Sequence, residues 1–151
     1  MTSPHGISRD VLFDFDRSMR IGMPESVFCQ GKPVDSLIAL LRKFARGNGH
    51  PVLFTRLTSE VFSSLPQDVQ DGVDYHAHSR TAWGDTLPRR DSGGRVAIVS
   101  AGTSDGAVAC EAARTLTYLG IGHRMFEDCG VAGLWRLTER LPEINEHDVV
   151  I

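Results

Sequence analysis

The sequence predicts an α/β fold: a small N-terminal α/β lobe, then the first half of a three-layer domain built on a parallel sheet. Three observations predict it. Val96, Ala97, Ile98 and Val99 form a short apolar run, as in a strand covered on both faces. Small residues, hydroxyls and one carboxylate follow from Ser100 to Gly106, and Val108, Ala112, Leu116 and Leu119 then recur at the spacing of a buried helical stripe. The pattern repeats: an apolar segment at His123–Glu127, a glycine turn at Asp128–Gly133, and a helix face of Leu134, Leu137, Thr138 and Leu141 stopped by Pro142. Asp148 opens a third strand, Val149-Val150-Ile151.

The elements before this domain are shorter. Residues 1–12 read as a frayed N-terminus, polar through Arg9. Val11 to Gly22 suits a strand or a short helix, and Ser26–Gln30 a strand. After the turn Gly31-Lys32-Pro33, Pro33 opens a helix with Asp35 in its first turn. Leu37, Leu40, Leu41 and Phe44 mark its buried face, and Gly47-Asn48-Gly49 ends it. Pro51–Thr55 reads as a buried strand, Ser59 toward Leu65 as a short helix before Pro66, and Tyr75–Thr81 as a further strand. Residues 84–94, GDTLPRRDSGG, are expected to link a lobe over 13–83 to the domain over 95–151. The domain follows a flavodoxin-like or Rossmann-like plan from its strand–turn–helix order. Its apolar ending reads as the start of a sheet strand, so a C-terminally truncated form of a longer protein is expected.

The totals narrow the function. A chain of 151 residues suits one domain with a small lobe. A net charge of −3 with mixed signs argues against nucleic acid and anionic membranes as partners. Cys29, Cys110 and Cys129 are odd in number and far apart, which fits a reduced interior. With no apolar leader at the N-terminus and no run near the ~20 apolar residues of a membrane helix, the expected compartment is the cytoplasm.

Gly102, Thr103, Ser104 and Asp105 are the main candidate site. A turn between a parallel strand and a helix aims backbone N–H groups at whatever lies above it, and the helix dipole favours an anion there. Gly102 allows close approach, Thr103 and Ser104 offer hydroxyls, and Asp105 can accept from sugar hydroxyls; a helix cap alone would use the same residues. Asp14-x-Asp16-x-Ser18 after apolar residues is similar to the first motif of haloacid-dehalogenase-type phosphatases, with Asp14 as nucleophile, Asp16 as general acid and Mg²⁺ beside them. No later acidic pair completes that metal site. His76-x-His78 would share a face of a strand, but lacks a third ligand. Cys110 reads as core and Cys129 as a turn residue near a ligand. Arg17 and Arg20 could grip a carboxylate or phosphate, and Trp135 reads as a packing residue.

Three segments resemble one family. They are Asp16-Arg17-x-x-Arg20-x-Gly22-x-Pro24-Glu25 with Gly31-Lys32; Val99-Ser100-Ala101-Gly102-Thr103-Ser104-Asp105 with Val108-Ala109 and Glu111-Ala112-Ala113; and Asp128-x-Gly130-Val131-Ala132-Gly133 with Arg136. In this order they resemble the LarB-type proteins of nickel-pincer nucleotide biosynthesis, whose PurE-like domain is related to aminoimidazole ribonucleotide (AIR) carboxylase. The resemblance implies carboxylation of the pyridinium ring of nicotinic acid adenine dinucleotide with CO₂, and phosphoanhydride hydrolysis that releases AMP. It implies no tightly bound cofactor, CO₂ as co-substrate, room for Mg²⁺, and a homo-oligomer. Gly102–Asp105 would hold phosphate and ribose, while Asp128, Gly130, Val131, Ala132 and Gly133 would wall the ring pocket. Gly130 stands near the place of the purine carboxylases' catalytic histidine, which disfavours purine chemistry. The family's ring-attacking cysteine matches none of the three here, so no catalytic residue is assigned. The alternatives are an AIR carboxylase-like purine biosynthesis protein or a non-catalytic nucleotide-binding module, with a Mg²⁺-dependent phosphatase through Asp14 and Asp16 as the third reading.

Overall fold

The computed structural model describes residues 6–8, 11–86 and 95–151. The chain divides into two compact units, Met1–Thr86 and Leu87–Ile151. Most of the expected linker over 84–94 lies outside the described residues.

The first unit begins with β1 (Gly6–Ser8) and β2 (Val11–Leu12), an antiparallel pair inside the segment expected to fray. Helix α1 (Arg17–Ile21) follows and ends on Gly22, which takes a left-handed φ of 74° while its N–H donates to the Ser18 carbonyl. The segment read as strand or helix therefore contains both. Next come β3 (Ser26–Phe28), α2 (Val34–Lys43), β4 (Leu53–Thr55), α3 (Ser59–Ser63) and α4 (Gln67–Asp71). Helix α4 is an addition to the expected elements: α3 ends at Ser63, and Pro66 stands at the N-cap position of α4. Strands β5 (Asp74–His76) and β6 (Thr81–Trp83) complete a four-stranded sheet of order β3-β4-β6-β5. Only β3 and β4 are parallel, with α2 crossing between them.

The predicted face of α2 is the buried one. Leu37, Leu40, Leu41 and Phe44 pack with Val27, Phe54, Leu57 and Val69 in one cluster. Burying each such side chain contributes about 1.5–3 kcal/mol. Phe13 joins this core, its ring centroid 4.6 Å from that of Phe44.

The expected strand over Tyr75–Thr81 is instead a hairpin, with His76 opposite Thr81. The turn is held by polar groups that satisfy one another. His76 Nδ1 accepts from the Ser79 N–H and lies 2.9 Å from Ser79 Oγ, which lies 2.8 Å from Thr81 Oγ1. Ser79 and Thr81 are buried, so an unpaired hydroxyl there would be costly. His78 sits exposed in the turn, so the two imidazoles do not share a strand face.

The second unit holds β7 (Arg95–Val99), α5 (Gly106–Tyr118), β8 (Gly122–Phe126), α6 (Leu134–Thr138), α7 (Leu141–Ile144) and β9 (Val149–Val150). The sheet order is β8-β7-β9 and both pairings are parallel. The first strand is central, as in the opening of a flavodoxin-like sheet. Alternation along the strands divides the core in two. Ile98 and Met125 meet Ala109, Ala113 and Leu116 of α5. Ala97, Val99 and Phe126 meet Cys129, Leu137 and Ile144 on the other face. Helices therefore cover both faces, the expected three-layer plan.

Pro142 does not stop one long helix. Helix α6 ends at Thr138, and Pro142 stands in the first turn of α7, where its missing N–H leaves nothing unbonded. The expected helix face is only partly buried: Leu137 and Thr138 are half-buried, whereas Leu134 and Leu141 are exposed, and Ile144, outside that face, is the buried residue. Trp135 is an exposed surface residue beside the Arg136 guanidinium, 5.7 Å from the ring centroid, not a packing residue. Among the described residues, no helix is long and apolar enough to cross a membrane.

Candidate functional site at the carboxyl edge of the parallel sheet

The second unit offers the clearest site. In a parallel sheet every strand's carboxyl end lies on one edge, and ligands collect where connections diverge from a central strand. Here that point lies between β7 and β9. Backbone pairing continues past the strands: Ser100 N–H donates to Phe126 O, and Ile151 N–H to Ala97 O.

The loops after β7 and β8 touch. Cys129 N–H donates to Ser100 O at 2.9 Å. A Cβ on Gly130 would stand 2.7 Å from Ala101 O, so only glycine permits this approach. The segment Asp128–Gly133 therefore meets the loop that carries Gly102–Asp105 at one edge, through Ser100 and Ala101.

Asp105 has a more local task than expected. Its Oδ2 accepts from the Ala101 N–H (3.1 Å) and the Gly102 N–H (2.9 Å). The carboxylate thus holds two of the amides that an incoming anion would have used, leaving Oδ1 for other partners. Thr103 and Ser104 begin the short 3-10 turn leading into α5, and both are exposed.

A cavity of about 420 Å³ opens here, lined by Ile98, Val99, Ser100, Ala101, Asp105, Val108, Ala109, Ala112 and Ile151. Its walls are mostly apolar, with Ser100 and Asp105 supplying the polarity. The Ser100 hydroxyl is buried and has no hydrogen-bond partner among the described residues. A buried hydroxyl without a partner is costly unless something satisfies it, so it marks where a ligand atom fits. Ser100 was not singled out from sequence. Its two-residue offset from Ile98 placed it on the α5 face and could have flagged it.

The second loop stands apart from the cavity. Asp128 takes a left-handed φ of 58° and accepts from Arg136 Nη1 at 2.7 Å. Val131 and Ala132 are exposed, and neither they nor Gly130 and Gly133 line the cavity. Cys129 is buried, with its thiol toward the Phe126 carbonyl, and so is not poised beside a ligand. Cys110 is half-buried on α5 and not part of the core. Cys29, in the first unit, is buried, and desolvation pushes its thiol up to about 12.

The phosphatase motif lacks its setting. Among the described residues, strand β2 pairs only with β1, antiparallel, so Asp14 does not follow a strand of a parallel sheet there. Asp14 is engaged by Arg20, and its N–H by Glu25. Arg20 therefore serves Asp14. Among the described residues, no three His, Cys, Asp or Glu side chains gather as a metal site.

The first unit settles the relationship. Residues 9–85 match the family described as the LarB/PurE-like N-terminal domain. The chain belongs to this family. It is also 31% identical over 153 residues to an uncharacterized protein of Methanocaldococcus jannaschii, covering 95% of this chain and 57% of that protein. The chain thus spans little more than half the length of that curated relative. The first of the three resembling segments lies within the matched residues; the cavity and its loops lie outside them.

Proposed function

We propose that the cavity of the second unit binds the mononucleotide end of nicotinic acid adenine dinucleotide, in a protein that carboxylates the pyridinium ring with CO₂ and releases AMP. This would place it early in nickel-pincer nucleotide synthesis. The observation that carries the reading is the buried Ser100 hydroxyl, unpartnered among the described residues and facing a cavity at the sheet's carboxyl edge. Membership of a carboxylase-related family supports it. The apolar wall of Val108, Ala109 and Ala112 suits a flat ring, while Ser100 and the amino end of α5 suit its polar substituents.

The three cysteines limit what this chain contributes. Adding CO₂ to a cationic ring requires a nucleophile that first makes the ring electron-rich. Cys29 and Cys129 are buried, and Cys29 is held protonated. The residues named here bind and orient; none of them is the ring nucleophile.

Two measurements test this. Calorimetric titration of this chain with nicotinic acid adenine dinucleotide should give saturable binding. Ser100→Val should weaken it about tenfold, the loss of one buried hydrogen bond of about 1.4 kcal/mol. In a protein of the relative's length, the same dinucleotide with bicarbonate should yield AMP and a carboxylated mononucleotide by mass spectrometry. No heat with any nicotinate or adenine nucleotide would remove the binding site. Binding without AMP release at that length would favour the second reading, a non-catalytic nucleotide-binding module, which the condition of the cysteines supports.

A further inference from the structure

We propose that Trp135, in the second unit, is a stacking platform for a purine base, fixed in place by Gly133, Arg136 and Asp128. The base is the adenine of the dinucleotide proposed above, so this assignment rests on that reading.

The fold leaves this side chain open. Trp135 keeps 59% exposure, and Val131 and Leu134 on the same short stretch keep 69% and 61%. Trp83, the other tryptophan, keeps 5%. Exposure alone assigns nothing to an apolar side chain. What sets Trp135 apart is how its neighbours hold it. A Cβ on Gly133 would stand 3.0 Å from Trp135 Nε1 and 3.4 Å from Arg136 Nε. Both side chains therefore fold back onto the glycine, where a larger residue would push them off. The Arg136 guanidinium carbon lies 5.7 Å from the indole centroid, and Nη1 donates to Asp128 Oδ1 at 2.7 Å. Arg136 Nε is buried and has no hydrogen-bond partner among the described residues. An arginine serving only its ion pair would turn that N–H to water, because a buried donor without an acceptor is costly. Arg136 instead backs the indole. An aromatic side chain already fixed loses little freedom when a ligand stacks on it.

The charge selects the occupant. Asp128 offsets Arg136, so the platform suits a neutral flat ring better than an anion. Every nucleobase has a π-face, and stacking on an aromatic side chain contributes about 1–3 kcal/mol per base. The position fits as well. Gly130 approaches Ala101, which lines the cavity, and Gly133 N–H donates to Gly130 O at 3.2 Å. Platform and cavity thus belong to touching loops at one sheet edge, and a dinucleotide carries a ring at each end.

The test uses the whole chain. Because Trp83 is buried, quenching of tryptophan emission by a small stacked ring reports Trp135. AMP should quench saturably, and ribose 5-phosphate should not. By calorimetry, Trp135→Leu should weaken AMP binding about tenfold, and Trp135→Tyr should restore most of it. Nicotinic acid mononucleotide should bind the native chain and Trp135→Leu alike. The platform is refuted if AMP does not quench, or if Trp135→Leu binds AMP as tightly as the native chain; mononucleotide binding would then still uphold the cavity. AMP binding that depends on Trp135, with no mononucleotide binding, would keep the platform and remove the cavity reading. Self-association lost in Trp135→Leu, without quenching by AMP, would assign the indole to an interface between copies and equally overturn the proposal.

Discussion

Replacing Gly130 by alanine tests whether the two loops at the sheet edge are truly in contact. The new Cβ would lie 2.7 Å from Ala101 O, and ordinary contact begins at 3.4 Å, so the loops must part by about 0.7 Å. The strain falls on backbone atoms, which cannot rotate away. Overpacking of this kind costs about 1–3 kcal/mol. Parting the loops also stretches the 2.9 Å bond from Cys129 N–H to Ser100 O, worth about 1 kcal/mol. Against this, Gly130 has φ −62° and ψ 131°, which alanine adopts freely, and stiffening the unfolded chain returns about 0.4–1 kcal/mol. The net expectation is a loss of about 1–3 kcal/mol. Gly102→Ala is the control, since its backbone is extended and nothing lies within 4 Å of the added carbon. It should be neutral or slightly stabilising. Urea unfolding of both variants, with amide exchange at Cys129, gives the comparison. If Gly130→Ala is as stable as Gly102→Ala and keeps the Cys129 amide protected, the loops do not meet as described.

Further outcomes follow from the packing within each unit. Gly84→Ala should unfold it, because the added Cβ would fall 2.2 Å from Phe44 O and 2.6 Å from the Ala45 carbonyl carbon; a folded variant by circular dichroism would refute this packing. Leu41→Ala, at a site with 0% exposure, should cost about 2–5 kcal/mol in urea unfolding. Stability should fall as pH rises above 9, because the Cys29 thiol stays protonated up to about 12 in the fold but ionises earlier when unfolded. Tyr75, raised mainly by desolvation, acts in the same direction. Cys29→Ala should lessen the alkaline loss, and an unchanged loss would show that the thiol does not contribute. With iodoacetamide, half-buried Cys110 should react before Cys29 and Cys129.

Where each side chain settled explains how far the chain could be read. Helix α2 was legible because Leu37, Leu40, Leu41 and Phe44 repeat at helical spacing and that face is the buried one. The parallel strands were legible because Val96–Val99 is an unbroken apolar run, which only a two-sided cover explains. The segment over Tyr75–Thr81 misled because its β-forming residues sit on both arms of a hairpin. The turn between them depends on hydroxyls whose burial is invisible to local pattern. Pro142 misled for a related reason: proline both ends and begins helices, and neighbouring packing selects which.

The candidate site divides in the same way. Small residues between strand and helix marked Gly102–Asp105 as a turn able to face a ligand, but not that Asp105 would turn inward onto Ala101 and Gly102. By itself, the sequence determined the α/β class, the strand–turn–helix order and the glycine-rich loops, since these follow from residue type and short periodicity. Tertiary structure alone decided that Gly130 touches Ala101, that Ser100 faces a cavity, and that Cys129 N–H reaches the Ser100 carbonyl. Such contacts join residues distant along the chain. They are set by strand register and loop closure, for which the linear order carries no repeating signal.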